Sequence, residues 1–153
     1  MGSSAFDMSA LLSMAASETL EALAFTEINP SIESSLQDGE HKYQGARISL
    51  GTMGNLDLII EKDLLEEIAI ILFNPPTGEI APEMLSDTLN EILNIIAGRF
   101  LDAVFKGKSD FSLGIPEMHL DVKAWNTLPI KLVLLADAGK QLGVGISPET
   151  HAG

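Results

Sequence analysis

Asp87, Glu91, Asn94 and Gly98 stand at positions i, i+4, i+7 and i+11. In an α-helix turning about 100° per residue, that spacing stacks them within one narrow stripe. A carboxylate on such a stripe can pair with a cation. A side-chain amide accepts a hydrogen bond through its carbonyl and donates through its NH2, which is what holding a water requires. Leu89, Ile92, Leu93, Ile96, Phe100, Ala103 and Val104 fall on the opposite side and complete a core face by themselves, so the stripe must look toward solvent. Asn94 is a mediocre helix former, and a glycine in a helix interior costs about 1 kcal/mol relative to alanine. Neither residue is explained by packing against the core.

The element that positions the stripe is the longest helix in the chain, expected over Pro82 to Phe105, with Lys106 suited to the helix dipole and Gly107 as an αL cap. A first helix is expected over Met8 to Ala24, where Leu11, Leu12, Ala15, Leu20 and Leu23 recur at helical spacing. Phe25 to Ser35 reads as strand or extended chain, interrupted at Pro30. Tyr43 to Leu50 and Leu56 to Glu61 read as two strands joined by a turn at Gly51 and Gly54. Lys62 to Phe73 returns to helical period through Leu64, Leu65, Ile68, Ile71 and Leu72 and halts at Asn74-Pro75-Pro76. Phe111 to Ile115, His119 to Ala124, Pro129 to Leu135 and Gln141 to Ile146 read as further strands, the last two joined by an Asp137-Ala138-Gly139-Lys140 hairpin turn. Helix, strands, helix, strands with short turns predicts an α+β domain, its two long helices packed on one face of a mostly antiparallel sheet. Each long helix precedes a block of strands, the order a diverged duplication would leave.

Composition bounds what the domain can do. The 153 residues, 46% of them apolar, suffice for one core, expected over residues 5–147 with frayed ends at 1–4 and 148–153. A net charge of −13 repels phosphate backbones and anionic headgroups, so nucleic acid is not an expected partner. The longest apolar run is the six residues Ile68 to Phe73, far below the roughly 20 needed to cross a bilayer. No basic-then-apolar leader opens the sequence. No membrane insertion and a cytoplasmic location are therefore expected. The absence of cysteine excludes disulfides and thiolate chemistry. Gly107-Lys108-Ser109 resembles the end of a phosphate-binding loop, but the glycine needed five positions earlier is Asp102. His41, His119 and His151 fall in no metal-ligand spacing. Gly143-Val144-Gly145 lacks the third glycine of a dinucleotide loop.

With the stripe and its surroundings in place, the chain resembles the CheC/CheX/FliY family of chemotaxis phosphatases, and its CheX-like members in particular. The family's helix motif runs Asp or Ser, three residues, Glu, two residues, Asn, and then a Pro some twenty residues on. Here Asp87-Thr-Leu-Asn-Glu91-Ile-Leu-Asn94 is followed by Pro116, with residues 95–115 between. Glu91-Ile-Leu-Asn-Ile-Ile-Ala-Gly98 is similar to the family's helix signature, glycine included. The first helix carries an echo, Ser17, Glu21 and then Ala24 where the amide is needed. One working site is expected, although Ser17 and Glu21 are also ordinary polar positions of an amphipathic helix.

The resemblance implies hydrolysis of the aspartyl phosphate of a CheY-like response regulator, which terminates a chemotaxis-type signal. Asn94 would position the water. Glu91 would pair with the regulator's lysine. Asp87 and Gly98 would serve the interface, and Pro116 would be a structural element of the motif. No cofactor or metal of the chain's own is expected, Mg2+ being supplied in the phosphorylated partner. A homodimer is a further expectation, because CheX-like proteins are similar in pairing through sheet edges, and the β-rich C-terminal half offers candidate edge strands. A non-catalytic docking module for a response regulator or flagellar switch component is the alternative that the same face allows.

Overall fold

The computed structural model describes residues 5–24, 27–37, 43–106, 113–117 and 121–147. Its elements run α1 (Ala5–Ala24), β1 (Asn29–Pro30), β2 (Tyr43–Ser49), β3 (Asn55–Glu61), α2 (Lys62–Phe73), α3 (Pro82–Phe105), α4 (Val122–Asn126), β4 (Ile130–Leu135) and β5 (Gln141–Ser147). The five strands form one sheet in the order β1-β4-β5-β3-β2, antiparallel at every pairing. The α+β expectation holds, with three helices rather than two on one face.

Local chemistry sets the element ends. Gly51 (φ 68°) and Gly54 (φ 102°) take the left-handed conformations that the β2–β3 turn demands. Asn74, at φ 42°, ends α2 by giving its N–H to the Ile70 carbonyl. Pro82 opens α3 at a position whose N–H is not needed. The αL residue closing α3 is Lys106 itself, with its N–H on the Asp102 carbonyl; Gly107, the expected cap, lies outside the described residues. Of two other expectations, one holds in part and one fails. Among the described residues of Phe25 to Ser35 only Asn29–Pro30 is strand. The segment expected as a strand over His119 to Ala124 contains the start of α4, capped by Asp121 accepting the Ala124 N–H at 2.8 Å.

The main core lies between sheet and helices, with α1 over β4 and β5 and α3 over β2 and β3. On the opposite face Val122, Trp125 and Leu128 cover Ile59 and Val133. That cover needs bare backbone beneath it. A Cβ on Gly143 would stand 2.7 Å from Trp125 Cε2, and one on Gly145 would stand 2.9 Å from the Ile130 carbonyl oxygen. The Gly143-Val144-Gly145 run is therefore a seat for α4 and for the chain leading from it into β4. Also on that face, Arg47 pairs its guanidinium in two bonds, 2.7 and 2.8 Å, with the buried Asp57 directly across the β2–β3 ladder.

Two halves share one order of elements: α1, β1, β2, β3, and α3, segment 113–117, β4, β5. Each short extended segment crosses to the other half's hairpin. β1 pairs with β4, and Glu117 bridges to Arg47 of β2. The long helices cross likewise, each lying over the other half's two strands. Among the C-terminal strands, β5 is interior, and β4 pairs on its outer side with the two residues of β1 at Leu134 and Leu135.

Candidate functional site

α3 sorts its side chains as its spacing requires. Leu89, Ile92, Ile96 and Phe100 are all fully buried. Asp87 and Glu91 are exposed, and Asn94 and Gly98 are half-buried on the same stripe. Ala103, assigned to the core row, is exposed instead, while Val104 and Phe105 beside it are partly buried against the core. Among the described residues, Asp87, Glu91 and Asn94 find no side-chain hydrogen bond or ion pair. Around Gly98 nothing lies within 4 Å of where a Cβ would stand, so the chain's own packing does not ask for glycine there.

The corresponding helix α1 is built differently. Ser17 is half-buried and Glu21 exposed, but the Glu21 carboxylate accepts the backbone N–H of Ile28 at 3.1 Å. Glu18, beside Ser17, meets Arg99, beside Gly98, at 3.3 Å and links the two helices. The echo therefore carries a carboxylate already in use within the chain and no amide.

Pro116 sits on a separate element from the stripe. Gly114 donates its N–H to the Ser49 carbonyl at 3.1 Å, and Arg47 and Glu117 exchange backbone hydrogen bonds of 2.8 Å each. Pro116, which has no N–H to give, falls beside that bridge, opposite Ile48. Ile48 belongs to the helix-side core, so the register places Pro116 on the α3 side of the sheet edge. The structure thus gathers Asp87, Glu91, Asn94 and Gly98 on one helix face, and places Pro116 on the strand edge next to the hairpin under α3. Ser17 and Glu21 lie on another helix.

Sequence reasoning passed over Asn90. Its side-chain Oδ1 is buried and has no hydrogen-bond partner among the described residues; the only sequence signal is its place four residues before Asn94. It also passed over a polar cavity of about 250 Å3 lined by Glu33, Ser35, Gln37, Glu61, Gly139 and Gln141, none of which is on α3. Beside it the Tyr43 hydroxyl donates to Gln141 Oε1 at 3.1 Å, and burial, helped by the Glu61 charge, pushes its pKa up to about 12. Among the described residues no group of three or more His, Asp or Glu comes together as a metal would need, and no helix is long and apolar enough to cross a membrane. His41, His119 and His151 lie outside the described residues.

No family model and no curated protein sequence matches the chain. Solved structures do. Chemotaxis protein CheX from Vibrio vulnificus superposes with a TM-score of 0.68 at 14% identity, covering 95% of this chain and 99% of that one. CheX of Borrelia burgdorferi, in a complex with CheY, BeF3 and Mg2+, gives 0.63 at 20% identity over 92% and 97%. FliY from Thermotoga maritima gives 0.52 at 16% identity over 90% and 84%. At these identities the likeness is one of fold, and the fold is CheC-like over nearly the whole chain.

Proposed function

We propose that this chain, whose fold is that of the CheX and CheC-like chemotaxis proteins, is a phosphatase that hydrolyses the aspartyl phosphate of a CheY-like response regulator docked on the exposed face of α3. The observation that carries the reading is the pairing of Glu91 and Asn94 on one solvent-facing stripe, both without side-chain partners among the described residues. The CheX–CheY complex among the structural relatives supports the choice of partner.

An aspartyl phosphate is an activated acyl phosphate. Water attacks phosphorus in line, the bond from phosphorus to the acyl oxygen breaks, and the aspartate carboxylate leaves with its electron pair. Inorganic phosphate forms and the water's proton is released. The regulator supplies Mg2+ and a lysine, so the phosphatase has only to place the water without adding charge. Asn94 suits that task because its neutral carbonyl accepts from the water, whereas a carboxylate would bring a negative charge against the phosphoryl oxygens. Glu91, one turn earlier, pairs with the lysine and fixes the register of docking. Asp87 and Gly98 extend the docking face. The chain contributes no metal or cofactor of its own.

The test is the decay of a phosphorylated CheY-like regulator with Asn94→Ala. Loss of one positioned polar group lowers turnover by about 10²- to 10³-fold, and regulator binding is expected to stay near wild type. Unchanged decay would reduce the protein to a docking module.

A further inference from the structure

Asn90 lies about 40° around α3 from Asn94, one turn earlier, at a spacing where two side chains meet. It stands between Asn94 and the flank where Leu93 and Ala97 are buried. Its Oδ1 is closed off from solvent and accepts no hydrogen bond from the described residues. A buried amide oxygen without a donor is costly to keep and calls for an explanation. Of the two polar side chains one turn away on its exposed side, Asp87 and Asn94, only Asn94 carries N–H groups to donate, and it is half-buried and unpartnered among the described residues.

The orientation of the Asn94 amide decides whether it can serve hydrolysis. With its carbonyl outward it accepts a water O–H and leaves the oxygen lone pair free to attack phosphorus. Turned over, its NH2 would donate to that lone pair and occupy it. Something must select the first orientation. We propose that Asn90 is the positioning residue for Asn94: when the regulator docks, the Asn94 Nδ2–H donates to the buried Asn90 Oδ1, which turns the Asn94 carbonyl toward the water. This role rests on the phosphatase reading. It also gives a physical reason for the unpaired oxygen, which is a receptor left open for the docked state.

The experiment is a double-mutant cycle on regulator dephosphorylation, with thermal melts to show that each variant is folded. Asn90→Leu removes the acceptor while keeping the volume, and is expected to lower kcat about tenfold with KM unchanged. In the Asn94→Ala background the same substitution is expected to cost nothing further, because Asn90 acts only through Asn94. In parallel, the side-chain NH2 resonances of Asn94 are expected to shift on binding a beryllofluoride- and Mg2+-loaded regulator in the wild type and not in Asn90→Leu. A kcat within twofold of wild type overturns the proposal. So does an equal further loss in the Asn94→Ala background, which would make Asn90 a structural residue. If Asn94→Ala itself is silent, the phosphatase reading fails; if Asn94→Ala slows decay and Asn90→Leu does not, only the positioning role fails.

Discussion

The Glu21 carboxylate takes the backbone N–H of Ile28, 3.1 Å away, and ties the end of α1 to the strand that succeeds it. Glu91, at the matching position of α3, has no such partner among the described residues. Two helices with the same Ser/Asp-to-Glu spacing have thus put their glutamates to different uses. Ile28 is 4% exposed, so Glu21→Ala leaves a nearly buried N–H unmet, at a cost of about 1–3 kcal/mol. Denaturant unfolding is expected to show that loss while dephosphorylation stays at the wild-type rate. A large loss of activity with unchanged stability would mean that α1 carries a second site.

Gly98 predicts a gain in stability with a loss of function. A methyl group there meets nothing within 4 Å, and replacing glycine by alanine in a helix stabilises by about 0.5–1 kcal/mol. Gly98→Ala is therefore expected to raise the melting temperature. If the regulator's surface comes down onto the helix at this point, the same methyl is an intrusion into a packed interface, and affinity falls roughly tenfold or more. Calorimetric titration beside a thermal melt reads both. Unaltered affinity would remove Gly98 from the docking face.

The long helix was legible in the sequence at both ends and, Ala103 apart, on both faces, because Leu89, Ile92, Ile96 and Phe100 form an uninterrupted apolar row that fixes where the stripe must point. The shorter pieces were not. α4 has five residues, too few for a period to show, and the segment around its start reads as a strand. The run Ile68 to Phe73 is apolar throughout, so periodicity could not tell its faces apart. Ile71 and Leu72, counted with the core row, are 44% and 38% exposed. Asn90 went unnoticed because the burial of one amide oxygen depends on how the helix lies in the fold.

Tyr43 is the chain's sole tyrosine, so its ionisation can be followed by ultraviolet absorbance without interference from another phenol. Burial and the Glu61 charge lift its pKa from 10.0 to about 12. The folded chain holds a proton that the unfolded chain releases near pH 10, so the contribution to stability is full below that pH and is lost as pH rises toward about 12. Tyrosinate is expected to appear with a midpoint near 12, and Glu61→Gln is expected to lower it without returning it to 10.0, because burial, the larger cause, remains. A wild-type midpoint at 10.0 would show that the hydroxyl is open to water.

Glu91 separates docking from chemistry. It is exposed and unpartnered among the described residues, so Glu91→Gln is expected to change stability by no more than about 0.5 kcal/mol. The substitution keeps the shape and removes the charge, and its effect belongs in KM if the carboxylate pairs with a lysine of the regulator. Screening shortens the reach of that pair from about 10 Å at 0.1 M salt to about 3 Å at 1 M. The ratio of variant to wild-type KM is therefore expected to be largest at low salt and to narrow as salt rises, with kcat little altered. Comparing the ratio also cancels the general repulsion set up by the net charge of −13, which acts on both proteins alike. A fall in kcat at constant KM, indifferent to salt, would place Glu91 in the reaction itself and leave the docking register to other residues of the stripe.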